Sequence, residues 1–119
     1  MGKWLALSML GVLPYAQMAC AQEAPQLKCE IGPATKTYGG TEWLVYSCDD
    51  KRSLVFVTAP HNPASPFYFM YHHTDKGYQL RGEGTGDKQV TDRAFAELKV
   101  LTEDQLASIL IETRKASAK

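Results

Sequence analysis

The chain has 119 residues, with 13 Lys+Arg balanced by 13 Asp+Glu, 45% hydrophobic residues and 22% charged ones. That length suits one domain, and the hydrophobic share belongs to a chain with a core to bury, not to a disordered one. A formal charge of zero gives no electrostatic reason to expect nucleic acid or an anionic membrane as partner.

Met1-Gly2-Lys3 sets one positive charge ahead of an uncharged, mostly apolar run from Trp4 to Leu13. Pro14 breaks that run, and Ala19-Cys20-Ala21 follows. A charged start, a short apolar stretch and a small-x-small end read as a secretory signal peptide over residues 1–21, cut after Ala21. A bilayer span needs about 20 apolar residues, so no stable membrane insertion is expected after cleavage. Cleavage before Cys20, with acylation of that cysteine, is the competing reading. Gln17 stands where bacterial lipoproteins carry Leu, which favours the cut after Ala21. Either cut removes Lys3, which tips the charge balance one unit to the acidic side. The cut after Ala21 also removes Cys20, and the odd count of three cysteines becomes a pair, Cys29 and Cys48. In an exported chain such a pair is expected to form a disulfide. A loop of that length contributes about 3 kcal/mol in the chain-entropy model.

Residues 22–26 are a polar leader, and 27–119 are read as a single α+β domain. Leu27 to Ile31 alternates and predicts a first strand ended by Gly32-Pro33; Thr35 to Tyr38 extends it or begins another. After the Gly39-Gly40 turn, Glu42 to Cys48 is rich in aromatic and β-branched residues and predicts a strand. Asp49 to Arg52 is a turn, and Ser53 to Thr58 is the partner strand of a hairpin. Both faces of this hairpin are apolar: Trp43 and Val45 point one way, Leu44 and Tyr46 the other. Such a strand is covered on both sides or meets a partner on one. Ala59 to Pro66 carries three prolines and must be an ordered loop. Phe67 to His72 is the next strand, Thr74 to Gly77 a turn, and Tyr78 to Gly82 the strand after it.

Beyond Gly86 the hydrophobic period lengthens from two to about 3.6. A helix is predicted over Asp87–Lys99, capped by Asp87 or Thr85, with Val90, Ala94, Phe95 and Leu98 on one face. Thr102-Glu103-Asp104-Gln105 fits a capping box opening a second helix, whose buried stripe is Leu106, Ile109, Leu110 and Thr113. Helices of this length need the sheet to pack on. The expected fold is an antiparallel sheet of four to five strands followed by two C-terminal helices packed on it.

Motifs for chemistry are sparse. Gly82-Glu83-Gly84-Thr85-Gly86 joins a strand to a helix, as phosphate loops do, but Asp87 stands where the dinucleotide pattern needs Gly. A tight backbone connection is the simpler reading, and no cofactor is expected. His61, His72, His73 and Asp75 would offer three imidazoles and a carboxylate to zinc or copper if loop and strand end approached. Adjacent strand residues point to opposite faces, which opposes joint chelation by His72 and His73. A small hydrolase would need a carboxylate pair such as Glu42 and Glu83, which nothing in the sequence brings together.

Phe67, Phe69 and Tyr71 are expected to face the core. Tyr68, Met70 and His72 then form a candidate binding face, joined by His61 and Asn62 of the Pro-rich loop. The segment Tyr46–Val57, with an aromatic two residues before a cysteine, an acidic turn and an apolar strand, resembles the periplasmic C-type lysozyme inhibitors. Those are small disulfide-bonded β-barrels acting through a Ser-Gly-x-x-Tyr segment. That segment has no match here, so no site residue carries over, and two C-terminal helices do not belong to that barrel. The expectation is a non-enzymatic binding module of a Gram-negative type of cell envelope, periplasmic or secreted, engaging an envelope protein or ligand. Its special form, an inhibitor or immunity-like protein, predicts a protruding Ala59–Pro66 loop. The alternative class is a metal-binding protein or small hydrolase using the histidines.

Overall fold

The computed structural model describes residues 26–119. The signal segment, its cut after Ala21, Cys20 and the leader up to residue 25 lie outside the described residues. The strands are β1 (Ile31–Tyr38), β2 (Thr41–Ser47), β3 (Leu54–Thr58), β4 (Phe67–Thr74) and β5 (Gly77–Gly84). Helices α1 (Lys88–Leu98) and α2 (Glu103–Ser117) follow. The sheet is an antiparallel meander in the order β1-β2-β3-β4-β5, so every strand pairs with its neighbours in sequence. The expected α+β fold is therefore present, with five strands and two C-terminal helices.

The first strand departs from its predicted limits. It begins at Ile31 and runs through Gly32-Pro33, with a shift of register between Ile31 and Ala34. Pro33 lacks an N–H, but β1 is an edge strand and Pro33 is exposed, so no interior ladder bond is lost. Leu27 to Glu30, read as strand from its alternation, is instead fastened to the β2–β3 turn. Asp49 N–H donates to Lys28 O at 2.8 Å, and Lys28 N–H donates to Asp49 Oδ1 at 3.2 Å. Beside this contact Cys29 and Cys48 form the expected disulfide, S–S 2.01 Å.

One face of the sheet carries Trp43, Val45, Leu54, Phe56, Phe69 and Tyr71, all buried against Ala94, Leu98, Leu106, Ile109 and Leu110 of the helices. Polar atoms inside this core have partners, as burial requires. Trp43 Nε1 donates to Tyr38 O at 3.0 Å, Tyr71 donates its hydroxyl to Leu98 O, and the Ser47 and Thr113 hydroxyls lie 2.7 Å apart.

Both helix starts follow the sequence reading. Asp87 caps α1 by accepting from Gln89 N–H, and Thr102 with Gln105 forms the full capping box of α2. The stripe of α2 is Leu106, Ile109, Leu110 and Thr113, as expected. That of α1 is rotated: Thr91, Ala94 and Leu98 are buried, while Phe95 is 39% exposed. Thr91 occupies the inward position because its hydroxyl turns back to Lys88 O at 3.2 Å and leaves its methyl to the core. Among the described residues no helix is long and apolar enough to cross a membrane.

Candidate functional site

Side chains alternate along each strand, so the residues between the core positions share the opposite face. Register places them in two rows. Leu44, Val57, Tyr68 and Glu83 are successive cross-strand partners from β2 to β5, with Thr35 of β1 beyond Leu44. The adjoining row is Tyr46, Val55, Met70 and Arg81. None of Leu44, Tyr46, Val55, Val57, Tyr68 and Met70 belongs to the core cluster or to the side chains packed around it. Tyr68 is 41% exposed and the other five are half-buried. A contiguous apolar patch rimmed by Glu83, Arg81 and His72 is the usual appearance of an interaction surface.

At the end of the patch where β3 leaves the sheet, the face dips into a hollow of about 480 Å³. It is lined by Val55, Val57, Thr58, Pro66, Phe67, Tyr68, Glu83, Gly84 and Thr85. The Tyr68 hydroxyl donates to Glu83 Oε1 at 3.3 Å across the rim. The Pro-rich loop thus meets the sheet face through Pro66. Met70 lies one register step away in the middle of the sheet, and His72 lies beyond it toward the β2–β3 turn, near Asp50.

The Pro-rich loop is tied down at three positions, with Pro60, His61, Pro63, Ser65 and Pro66 exposed. Ala59, Asn62 and Ala64 are buried. Asn62 is a fastener, not a contact residue: its Nδ2 donates to Glu42 O, and its Oδ1 accepts from Ala64 N–H at 2.7 Å. Both ends of its amide are consumed, which removes Asn62 from the candidate binding residues. His61 remains exposed at the loop tip, in the left-handed region at φ 65°.

Gly84 and Gly86 are explained by the same loop, whereas a Cβ on Gly82 would meet the Phe69 and Phe67 rings at 2.7 and 2.8 Å. A Cβ on Gly86 would lie 1.7 Å from Ala64 O, and one on Gly84 would lie 2.3 Å from Pro66 O. Thr85 N–H and Asp87 N–H donate to Pro66 O and Pro63 O at 3.0 and 3.2 Å. The segment is a seam between loop and helix start, and the Thr85 and Asp87 amides are spent on protein carbonyls, not on a phosphate.

The histidines do not converge. A hairpin loop adjoins the first residue of the strand that leaves it, so His61 sits at the Phe67 end of β4. His72 lies five residues further along, about 17 Å away at strand rise. The expectation that loop and strand end approach fails on this point. His73 is directed to the other face, where its ring meets Tyr78 edge-on with centroids 4.9 Å apart. Asp75 is in the exposed β4–β5 turn. Among the described residues no group of three or more His, Cys, Asp or Glu could hold a metal ion. Glu42 and Glu83 stand on β2 and β5, about three strand spacings or 14 Å apart, too far for a glycosidase pair.

Shifted ionisations serve the scaffold. Burial pushes the Asp50 carboxyl upward, but bonds from the Ser53 hydroxyl and the N–H groups of Ser53 and Arg52, with His72 nearby, hold it below its usual value. Burial raises Tyr38 to about 12, reinforced by Glu112 and Glu97. Tyr71 and Tyr78 are raised chiefly by burial.

The sequence pattern put Tyr68, Met70 and His72 on one face, as the register does, and showed β2 apolar on both sides. It passed over Val55, Val57 and the hollow against Pro66. The alternation of Ser53–Thr58 carried the signal for the two valines. Nothing local announced that Pro66 would close the end of their row. Compared with protein-family models, curated proteins and solved structures, the chain finds no match. The likeness of Tyr46–Val57 to the lysozyme inhibitors is confined to a hairpin, since the open meander with helices on one face is not that barrel.

Proposed function

We propose that the chain is a non-enzymatic binding module of the bacterial cell envelope, acting in the periplasm or after secretion. It engages an envelope protein or ligand through the open sheet face around Val57, Tyr68 and Met70. The observation that carries this reading is the apolar patch left uncovered while the opposite face of the same strands is fully packed. Export is supported by the signal-like first 21 residues and by the Cys29–Cys48 disulfide. The hollow against Pro66 offers a place for one apolar side chain of the partner to seat, with Glu83 at its rim. Adaptable Tyr and Met side chains suit such a contact.

The test is affinity capture from an envelope extract with the wild-type protein, Tyr68→Ala and Met70→Ala. Specific partners should be recovered by the wild type and depleted with either variant. Equal recovery of the same partners by all three would refute the sheet face as the site.

A further inference from the structure

The sheet has two free edges, and they are built differently. The β1 edge carries Pro33 and an irregular register, and Lys36 there is paired with Glu112 of α2 at 3.0 Å. Those are the usual protections against pairing with another strand. The β5 edge is more regular, and its only charges are the exposed Arg81 and Glu83. It reads Gly77-Tyr78-Gln79-Leu80-Arg81-Gly82-Glu83-Gly84, without proline, lysine or bulge. The bond from Thr85 N–H to Pro66 O fixes the alternation of the β4–β5 ladder. Glu83 and Arg81 bond inward to Tyr68 and Met70, so the N–H and C=O groups of Leu80, Gly82 and Gly84 point outward. These outward groups have no hydrogen-bond partner among the described residues.

We infer that the β5 edge pairs with the β5 edge of a second copy of this chain, antiparallel about a two-fold axis at Gly82. Charge selects both the occupant and the register. Outward groups must meet outward groups, which leaves few alignments. Centring on Arg81 sets Arg81 against itself, and centring on Glu83 sets Glu83 against itself. Like charges directly opposite are destabilising. Centring on Gly82 sets Arg81 opposite Glu83 of the second copy and repeats the pair on the other side of the axis. Leu80 and Gly84 then exchange backbone bonds across the axis, as Gly82 does with its own copy. The closed two-fold arrangement is the commonest form of oligomer. Arg81 and Glu83 lie on the open face, so the two faces join into one continuous ten-stranded surface with all helices on the other side. This inference is separate from what the open face binds, because Tyr68→Ala and Met70→Ala leave the backbone edge intact.

Sedimentation equilibrium of the purified protein tests it. The mass should rise from monomer to dimer somewhere in the micromolar to millimolar range, since so short an edge is a small interface. Arg81→Glu and Glu83→Arg should each weaken the dimer roughly tenfold, and the double exchange should restore it. Amide hydrogen exchange at Leu80, Gly82 and Gly84 should slow as concentration rises. A monomer at every concentration overturns the proposal. So do single variants that associate like wild type, a double exchange as weak as the singles, or no concentration dependence at those three amides.

Discussion

Gly86→Ala is the sharpest probe of how the open face is framed. The added methyl would be centred 1.7 Å from Ala64 O, with Ala64 itself fully buried. Neither partner can swing aside, because Ala64 O is backbone and a Cβ is held rigidly by the backbone that carries it. The loop must therefore move away from the start of α1. Overpacking of this kind costs about 1–3 kcal/mol, and each of the seam's two backbone bonds contributes about 1 kcal/mol. A loss of about 3 kcal/mol is expected, or roughly 12–24 °C in Tm for a domain of this size. Gly77→Ala is the control. Nothing lies within 4 Å of its added methyl, and its cost is the left-handed backbone at φ 104°. That is about 1 kcal/mol, or roughly 4–8 °C. Thermal unfolding followed by circular dichroism measures both. If Gly86→Ala melts no lower than Gly77→Ala, the glycine is not there for the seam, and the framing of the hollow by Pro66 is wrong.

Other perturbations probe the scaffold. Replacing Cys29 and Cys48 with Ser should lower unfolding free energy by about 3 kcal/mol in urea, a loss reproduced by reductant on the wild type. Thr113→Val leaves the buried Ser47 hydroxyl without its partner 2.7 Å away and should cost about 1–3 kcal/mol by the same assay. Because the folded Asp50 sits below its usual value of 3.8, it stabilises the fold above that pH. The stability gap between wild type and Asp50→Asn should therefore close as pH falls below about 3.8 and through the folded value. Tyr38 has the opposite sign. Its neutral form is favoured in the fold, so the wild type should lose stability as pH rises from 10 to about 12, a loss that Tyr38→Phe lessens.

Local chemistry made much of the fold legible. The capping box at Thr102–Gln105 and the cap at Asp87 are short-range bonds, and alternation from Glu42 to Tyr71 reports two faces directly. Cysteine parity gave the staple. What failed depends on where elements sit. Gly32-Pro33 reads as a strand end until β1 is known to be an edge, where a missing N–H costs nothing. Thr91 is buried and Phe95 is left at the margin, 39% exposed with its ring stacked on Phe69, an outcome set by the neighbouring strand and not by the periodicity of α1. The histidines looked convergent because they are close in sequence to one strand, yet a hairpin sends the loop to that strand's opposite end. Asn62 looked like a surface contact in a proline-rich loop, and its burial depends on Glu42 O, twenty residues earlier.

The meander also sets an order of events in time. Each strand pairs with the one just made, so the sheet assembles from short loops that close at little entropic cost. The last element, α2, returns to the first, where Glu112 meets Lys36 across 76 residues. Until Leu106, Ile109 and Leu110 have arrived, only Ala94 and Leu98 of α1 are there to cover the aromatic face holding Trp43 and Phe56. A chain emerging N-terminus first would hold an unfinished sheet, greasy on both sides, up to its final residues. Truncation before Thr102 should therefore yield aggregate, not a smaller domain, as light scattering of the shortened chain would show.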